Sequence, residues 1–279
     1  MKNIVVSGGT DGMGRALARH YVNSGWSVLI IGRNPDKGAE FLAEARQSGA
    51  ADRAIFLQAD LSLVSEQYRV VAEIAKAFPV VDAVVLGAQH FRRERTVTAE
   101  GFESTFALYY LSRYVLSNGL LPQLELADNP VVLNICGPGV SVGEIHWNDL
   151  QLEHGYKGLK AMMQGSRAND LLGVGMAKAY EGSKVRHVLY NPVFVATSFS
   201  GEYKKPVRLL VDLAKRLGAT SVEKGIEPII ELLNNPPTKA ISAYKKRKEL
   251  SLSNKSFSEA DAARLREVTA AVLASRSTA

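Results

Sequence analysis

The feature that most constrains this chain stands at its amino terminus. There an apolar run, Asn3–Ser7, passes directly into the turn Ser7-Gly8-Gly9-Thr10-Asp11-Gly12-Met13-Gly14, and the residues from Arg15 onward read as a helix. The spacing Gly8-x-x-x-Gly12-x-Gly14 suits a strand that turns sharply into a closely packed helix. Gly8 fits the tight turn, Gly12 leaves room for backbone to approach a ligand, and Gly14 lets the helix lie against the strand. The start of such a helix presents unpaired N–H groups and a positive dipole end, an environment that attracts phosphate.

The rest of the chain repeats the same alternation. Short β-branched runs at 27–31, 54–58, 80–86, 131–135, 185–190 and 239–244 are separated by helical patterns at 14–24, 35–48, 63–77, 99–119 and 163–181. Further helical patterns cover 206–217, 222–233 and 258–274. Alternating β and α segments imply parallel strands joined by right-handed crossovers. The strand runs are apolar throughout, as expected where helices cover both faces. The expected fold class is therefore α/β: a doubly wound, mostly parallel sheet of Rossmann type with about seven strands. One dinucleotide-binding domain is expected over 1–279, with 137–162 as a connection capping the site and 200–279 as a helical extension on the substrate side.

Composition narrows the class. The single cysteine, Cys136, excludes an intramolecular disulfide and fits a reducing compartment. The amino terminus has no secretory leader pattern and no apolar run is long enough to span a bilayer, so a cytoplasmic location is expected. The net charge of +6 raises nucleic-acid binding as a question. The one dense basic run, Lys245-Lys246-Arg247-Lys248, lacks interleaved aromatics and reads as a solvated loop, so no nucleic-acid partner is expected. No cluster of His, Cys, Asp or Glu has metal-ligand spacing.

The second strand ends Gly32-Arg33-Asn34, where NAD sites usually place a carboxylate for the ribose 2′-OH. Arg33 offers a planar cation suited to a 2′-phosphate, which favours NADP(H) over NAD(H) as cofactor. Asp11 works against that preference, because a carboxylate beside a 2′-phosphate repels it. Asp60-Leu61 follows the third strand, where Asp60 can accept from an adenine amino group or cap the next helix. Gly87 and Ala88 end the fourth strand and leave space for an adenosine ribose.

Taken together, these motifs resemble the short-chain dehydrogenase/reductase family, and most of all its branch of retinol dehydrogenases and protochlorophyllide reductases. The likeness includes the glycine turn, Arg33-Asn34, Asp60-Leu61, Glu100-Gly101-Phe102-Glu103, Leu120-Leu121-Pro122, Asn148-Asp149-Leu150 and Asn191-Pro192-Val193 with Thr197. It implies that Pro192, Val195 and Thr197 lie beside a nicotinamide. It also implies an Asn-Ser-Tyr-Lys tetrad, in which the tyrosine exchanges a proton with the carbinol oxygen.

Here the matching positions fall on Tyr109, Gly137, Met162 and Ser166, so all four tetrad places are substituted. A literal Tyr-x-x-x-Lys does occur upstream, at Tyr156 and Lys160, where Gly155 and Gly158 weaken a helix. Tyr109, Tyr156 and Lys160 are thus the catalytic candidates. Tyr109 reads more readily as a core aromatic, and Tyr156-Lys160 as a chance pair. Cys136 reads as a buried thiol and His146 as a loop residue.

Three functions remain open at this level. The first is an NADP(H)-dependent oxidoreductase with an atypical site. The second is a cyclase, isomerase or dehydratase on the same scaffold, and the third a nucleotide-binding protein without turnover. Apolar residues around Tyr109, Met162, Met163, Phe194 and Phe199 suggest a small hydrophobic organic substrate. Small residues at Ala168, Gly173, Gly175 and Ala177 permit close helix packing, which leaves a homo-oligomer open.

Overall fold

The computed structural model describes residues 1–193 and 221–275 of the protein. Eight strands form one sheet: β1 (Asn3–Ser7), β2 (Ser27–Gly32), β3 (Ala54–Gln58), β4 (Ala83–Leu86), β5 (Val131–Ile135), β6 (Arg186–Asn191), β7 (Ile241–Lys245) and β8 (Lys248–Leu250). Their order is β3-β2-β1-β4-β5-β6-β7-β8. All pairs are parallel except β7 with β8. The chain runs outward from β1 to β3 and then crosses to β4 on the other side of β1. That reversal opens a crevice at the carboxyl ends of β1 and β4, the place where such sheets bind ligands.

The helices are α1 (Gly12–Asn23), α2 (Pro35–Gln47), α3 (Val64–Ala77), α4 (104–119), α5 (Leu121–Glu125), α6 (Gly158–Ala179), α7 (Val222–Asn234) and α8 (Glu259–Ala274). Successive side chains of β1 go to opposite faces. Ile4 and Val6 pack with Leu17 of α1, Phe41 of α2 and Ile229 of α7. Val5 packs with Val70 and Ile74 of α3 and Leu116 of α4 on the other face. All three β1 residues are fully buried. Each such side chain contributes about 1.5–3 kcal/mol, which explains the unbroken apolar runs of the central strands.

Four features depart from the sequence expectations. The basic run Lys245–Lys248 is a hairpin turn, with Lys246 at φ +54, that pairs an added edge strand, β8. Arg247 is held there by Glu231 at 2.7 Å and Glu227 at 3.3 Å. Residues 221–275 are more than a helical extension. Beside the expected strand, which is β7, they add β8 to the sheet, place α7 against α1 and lay α8 against α6.

The fourth helix starts at Ser104, after Gly101 (φ +78), and the Glu103 carboxylate caps it by accepting from Thr105 N–H and Phe106 N–H. Helix α6 begins at Gly158, earlier than its apolar period suggests. Gly158 occupies that place for packing reasons, because a Cβ there would lie 2.1 Å from the Arg92 carbonyl oxygen. The expected helix at 206–217 lies outside the described residues.

Candidate functional site

The crevice predicted by the strand order is a cleft of about 650 Å³. Gly8, Thr10, Asp11, Gly12, Met13 and Gly14 line it from the β1–α1 turn. Arg33 and Asn34 line it from the end of β2, Leu61 from beyond β3, and Gly87 and Ala88 from the end of β4. The turn is held down by Gly8 N–H and Gly9 N–H, which both donate to the Ile31 carbonyl at 3.0 and 3.2 Å. A Cβ on Gly14 would sit 2.2 Å from the Gly8 carbonyl oxygen, so α1 is pressed directly onto the turn. Ser7 does not line the cleft. Its hydroxyl accepts from Gly87 N–H at 3.1 Å and ties the turn to the end of β4.

Asp11 is the N-cap of α1 and accepts from Gly12 N–H at 2.7 Å. Its carboxylate also pairs with the Lys37 ammonium from the first turn of α2. Lys37 lines the cleft and was missed in the sequence. The signal was present in Asn34-Pro35, where Asn34 caps α2 by accepting from Lys37 N–H at 3.0 Å. The pair neutralises the carboxylate that argued against a 2′-phosphate. Among the described residues, the exposed Arg33 guanidinium has no ion-pair or hydrogen-bond partner, while its own carbonyl accepts from Gln58. The turn therefore fits a pyrophosphate, and the β2 end fits an additional phosphate beside Arg33.

Asp60 is turned to local use, accepting from Ser62 N–H at 3.0 Å and Ser62 Oγ at 2.7 Å. It does not cap α3; the Glu100 carboxylate does, accepting from Ser65 N–H at 3.1 Å. Pro192 directly follows β6, and Val193 after it adopts φ +63, a left-handed conformation costly for a β-branched residue. Val195, Thr197, Phe194 and Phe199 lie outside the described residues.

The other end of the cleft is apolar, lined by Leu108, Ile135, Phe91 and Met162 together with Gln89 and His90. Of the chain's five histidines, only His90 lines it. Its position just past β4 was the available signal. None of residues 137–157 reaches the cleft. That connection lies along α6, where Gln164 accepts from His146 N–H at 2.9 Å and donates to the Leu150 carbonyl at 2.8 Å.

Tyr109 is buried, with its phenol 3.2 Å from Ser166 Oγ. A Cβ on Gly137 would approach Ser166 Oγ to 3.1 Å, so Tyr109, Gly137 and Ser166 converge on one point. A widened π-type turn at Ala107–Leu111 carries Tyr109, and its carbonyl accepts from Asn169 at 2.8 Å. Burial pushes the Tyr109 phenol up to about 12, opposed by the Arg113 guanidinium over its ring.

Tyr156 is directed elsewhere. Its hydroxyl donates to Glu103 Oε1 and the Arg92 carbonyl, both at 3.3 Å, and lies 3.3 Å from Thr105 Oγ1. Lys160, on α6, does not line the cleft either. Cys136 is buried, and burial pushes its thiol well above the usual range.

The sheet order, the switch-point cleft and the glycine turn under it define a dinucleotide-binding α/β protein. The model of the short chain dehydrogenase family matches residues 2–149, and the chain belongs to that family. It is 28% identical to human polyprenol dehydrogenase over 219 residues, covering 76% of this chain and 65% of that protein. It is 23% identical to retinol dehydrogenase 14 of Mus musculus over 282 residues, covering 96% of this chain and 84% of that protein. Among solved structures, a short chain dehydrogenase from Burkholderia cenocepacia in complex with NADP matches with a TM-score of 0.67 at 17% identity. That match covers 88% of this chain and 95% of the other. Among the described residues no helix is long and apolar enough to cross a membrane, and no group of side chains is placed to hold a metal ion.

Proposed function

We propose that the protein is an NADP(H)-dependent oxidoreductase acting on a small hydrophobic carbonyl, alcohol or activated double bond through an atypical site. The observation that carries this reading is the polarity of the cleft. The unpartnered Arg33 and the Asp11–Lys37 pair stand at its β2 end, and an apolar wall of Leu108, Phe91, Ile135 and Met162 closes the other. A bound nicotinamide would exchange a hydride with substrate carbon, and the chain's own residues would position both partners and supply the proton.

Met162 stands at the cleft where the family resemblance puts the tyrosine acid. Tyr109 is spent on Ser166, and Tyr156 on Glu103 and Arg92. His90, the histidine that lines the apolar end of the cleft, is the side chain assigned as proton donor in this reading. An activated C=C bond asks least of such a donor. The absence of an ionisable side chain at Met162 also favours a second reading, nucleotide binding without turnover.

One experiment separates them. The reduced-nicotinamide absorbance is followed with NADPH across a panel of apolar aldehydes, ketones and enones, for the wild type and the His90→Gln, Tyr109→Phe and Tyr156→Phe variants. Turnover that falls in His90→Gln and persists in Tyr156→Phe supports the first reading. Tight NADPH binding with no turnover on any substrate supports the second. Turnover lost only in Tyr156→Phe would return the role to Tyr156 and Lys160.

A further inference from the structure

Arg113, on α4, is only 1% exposed and heads the fully buried side chains by volume. Its guanidinium donates to Asn134 Oδ1, to the Ile135 carbonyl at 2.9 Å and to the Ala88 carbonyl at 3.2 Å, while the Tyr109 ring lies 4.5 Å away. All of these partners are neutral. Among the described residues, the titratable groups that bear on it are Tyr109 and Cys136, neither a carboxylate, and its Nε is buried without a partner. A buried cation ordinarily carries its counter-ion with it, because an unpaired charge in the interior is strongly unfavourable. Burial lowers the Arg113 pKa from its usual value, yet arginine starts so high that it stays charged at neutral pH.

This charge is bonded to the backbone of the cleft wall. Ala88 and Ile135, whose carbonyls it holds, both line the cleft at the ends of β4 and β5, away from Arg33. Among the described residues, the only carboxylate lining the cleft is Asp11, already paired with Lys37 at the β1–α1 turn.

We infer that Arg113 makes the β4–β5 end of the cleft electropositive and thereby selects the reduced, uncharged nicotinamide over the oxidised, cationic ring. The protein is by this device a reductase that holds NADPH and sheds NADP⁺. The inference rests on the nicotinamide reading given above. The two cofactor forms share every phosphate and differ by one positive charge on the ring. Their affinity ratio therefore isolates the field at that end. At an effective dielectric near 20, two like unit charges about 10 Å apart change an equilibrium by about tenfold.

The test is equilibrium titration of the full chain with NADPH, NADP⁺ and 2′,5′-ADP, which carries the 2′-phosphate and the adenosine-side phosphate without a nicotinamide. The wild type should bind NADPH about tenfold more tightly than NADP⁺, which raises the midpoint potential of the bound couple by about 30 mV. Arg113→Lys should keep the preference. Arg113→Met should bring the ratio close to one while 2′,5′-ADP binding is unchanged. Should Arg113→Met fail to fold, Arg113→Gln, which keeps an amide donor but no charge, provides the same comparison. Equal affinities in the wild type, or an intact preference in the uncharged variant, overturn the inference alone. No binding of any of the three ligands to the wild type overturns the nicotinamide reading, and this inference with it.

Discussion

Replacing Gly14 by alanine is the sharpest perturbation of the site. The added Cβ would lie 2.2 Å from the Gly8 carbonyl oxygen, 2.9 Å from the Gly8 carbonyl carbon and 3.2 Å from Gly9 Cα. All three are backbone atoms in a turn pinned to Ile31, so no flexible side chain can yield. Relief requires α1 to recede from the turn by about 1 Å, an overpacking strain of about 1–3 kcal/mol. That should lower Tm by about 2–4 °C per kcal/mol. The same movement separates the helix N-terminus from the turn that shapes it. Losing one charge-assisted hydrogen bond to phosphate, worth about 1.5–3 kcal/mol, weakens NADPH at least tenfold. Gly25→Ala is the control: φ is +87 but no atom lies within 4 Å of the new Cβ. It should cost about 1 kcal/mol of stability from the left-handed conformation alone and leave NADPH affinity unchanged. Calorimetry and fluorescence titration read both effects. A Gly14→Ala protein with wild-type Tm and affinity would refute the assignment of this turn as the phosphate cradle.

Three further outcomes follow from individual residues. Val193→Gly removes a β-branched side chain from φ +63; the relief of about 1–2 kcal/mol exceeds the added chain entropy of about 0.4–1 kcal/mol, so thermal denaturation should shift upward. Asp170, buried on α6 with Oδ2 accepting from Gly139 N–H at 2.9 Å, is pushed up by burial to about 7. Because its folded value exceeds its unfolded one, its contribution is fully present below about pH 4 and is lost as pH rises through about 7. Asp170→Asn should therefore match the wild type in denaturant titrations at low pH and exceed it by up to about 4 kcal/mol at pH 8. Tyr156→Phe removes a hydroxyl shared among Glu103, Arg92 and Thr105, and should lower stability by about 1 kcal/mol without altering NADPH affinity.

Much of the fold was legible because it depends on local periodicity and on glycine. The runs that became β1, β2, β3 and β5 and the turn at Gly8–Gly14 could be read directly, since both faces of the central strands are covered and the turn tolerates no side chain. The edge strand β8 was not legible, because three residues of a basic hairpin carry no apolar pattern. Gly158 misled in an instructive way: its lack of a side chain answers a contact with Arg92 across the fold, a cause that helix propensity cannot register. The residues that line the cleft near the turn were readable from their order in the chain. Lys37, His90 and Arg113 were not, because each matters through where another strand end brings it. Tyr156 and Lys160 showed the reverse, a familiar spacing whose tyrosine the fold turns toward Glu103.

We propose that this cleft reads a 2′-phosphate through Arg33, beside an Asp11 neutralised by Lys37. Parallel titration of the wild type and Arg33→Ala with NADPH and NADH tests it most directly. NADPH should bind about tenfold more tightly than NADH in the wild type, as one charge-assisted contact gives, and nearly equally in Arg33→Ala. Equal affinity of the wild type for both, or a preference for NADH, would contradict it.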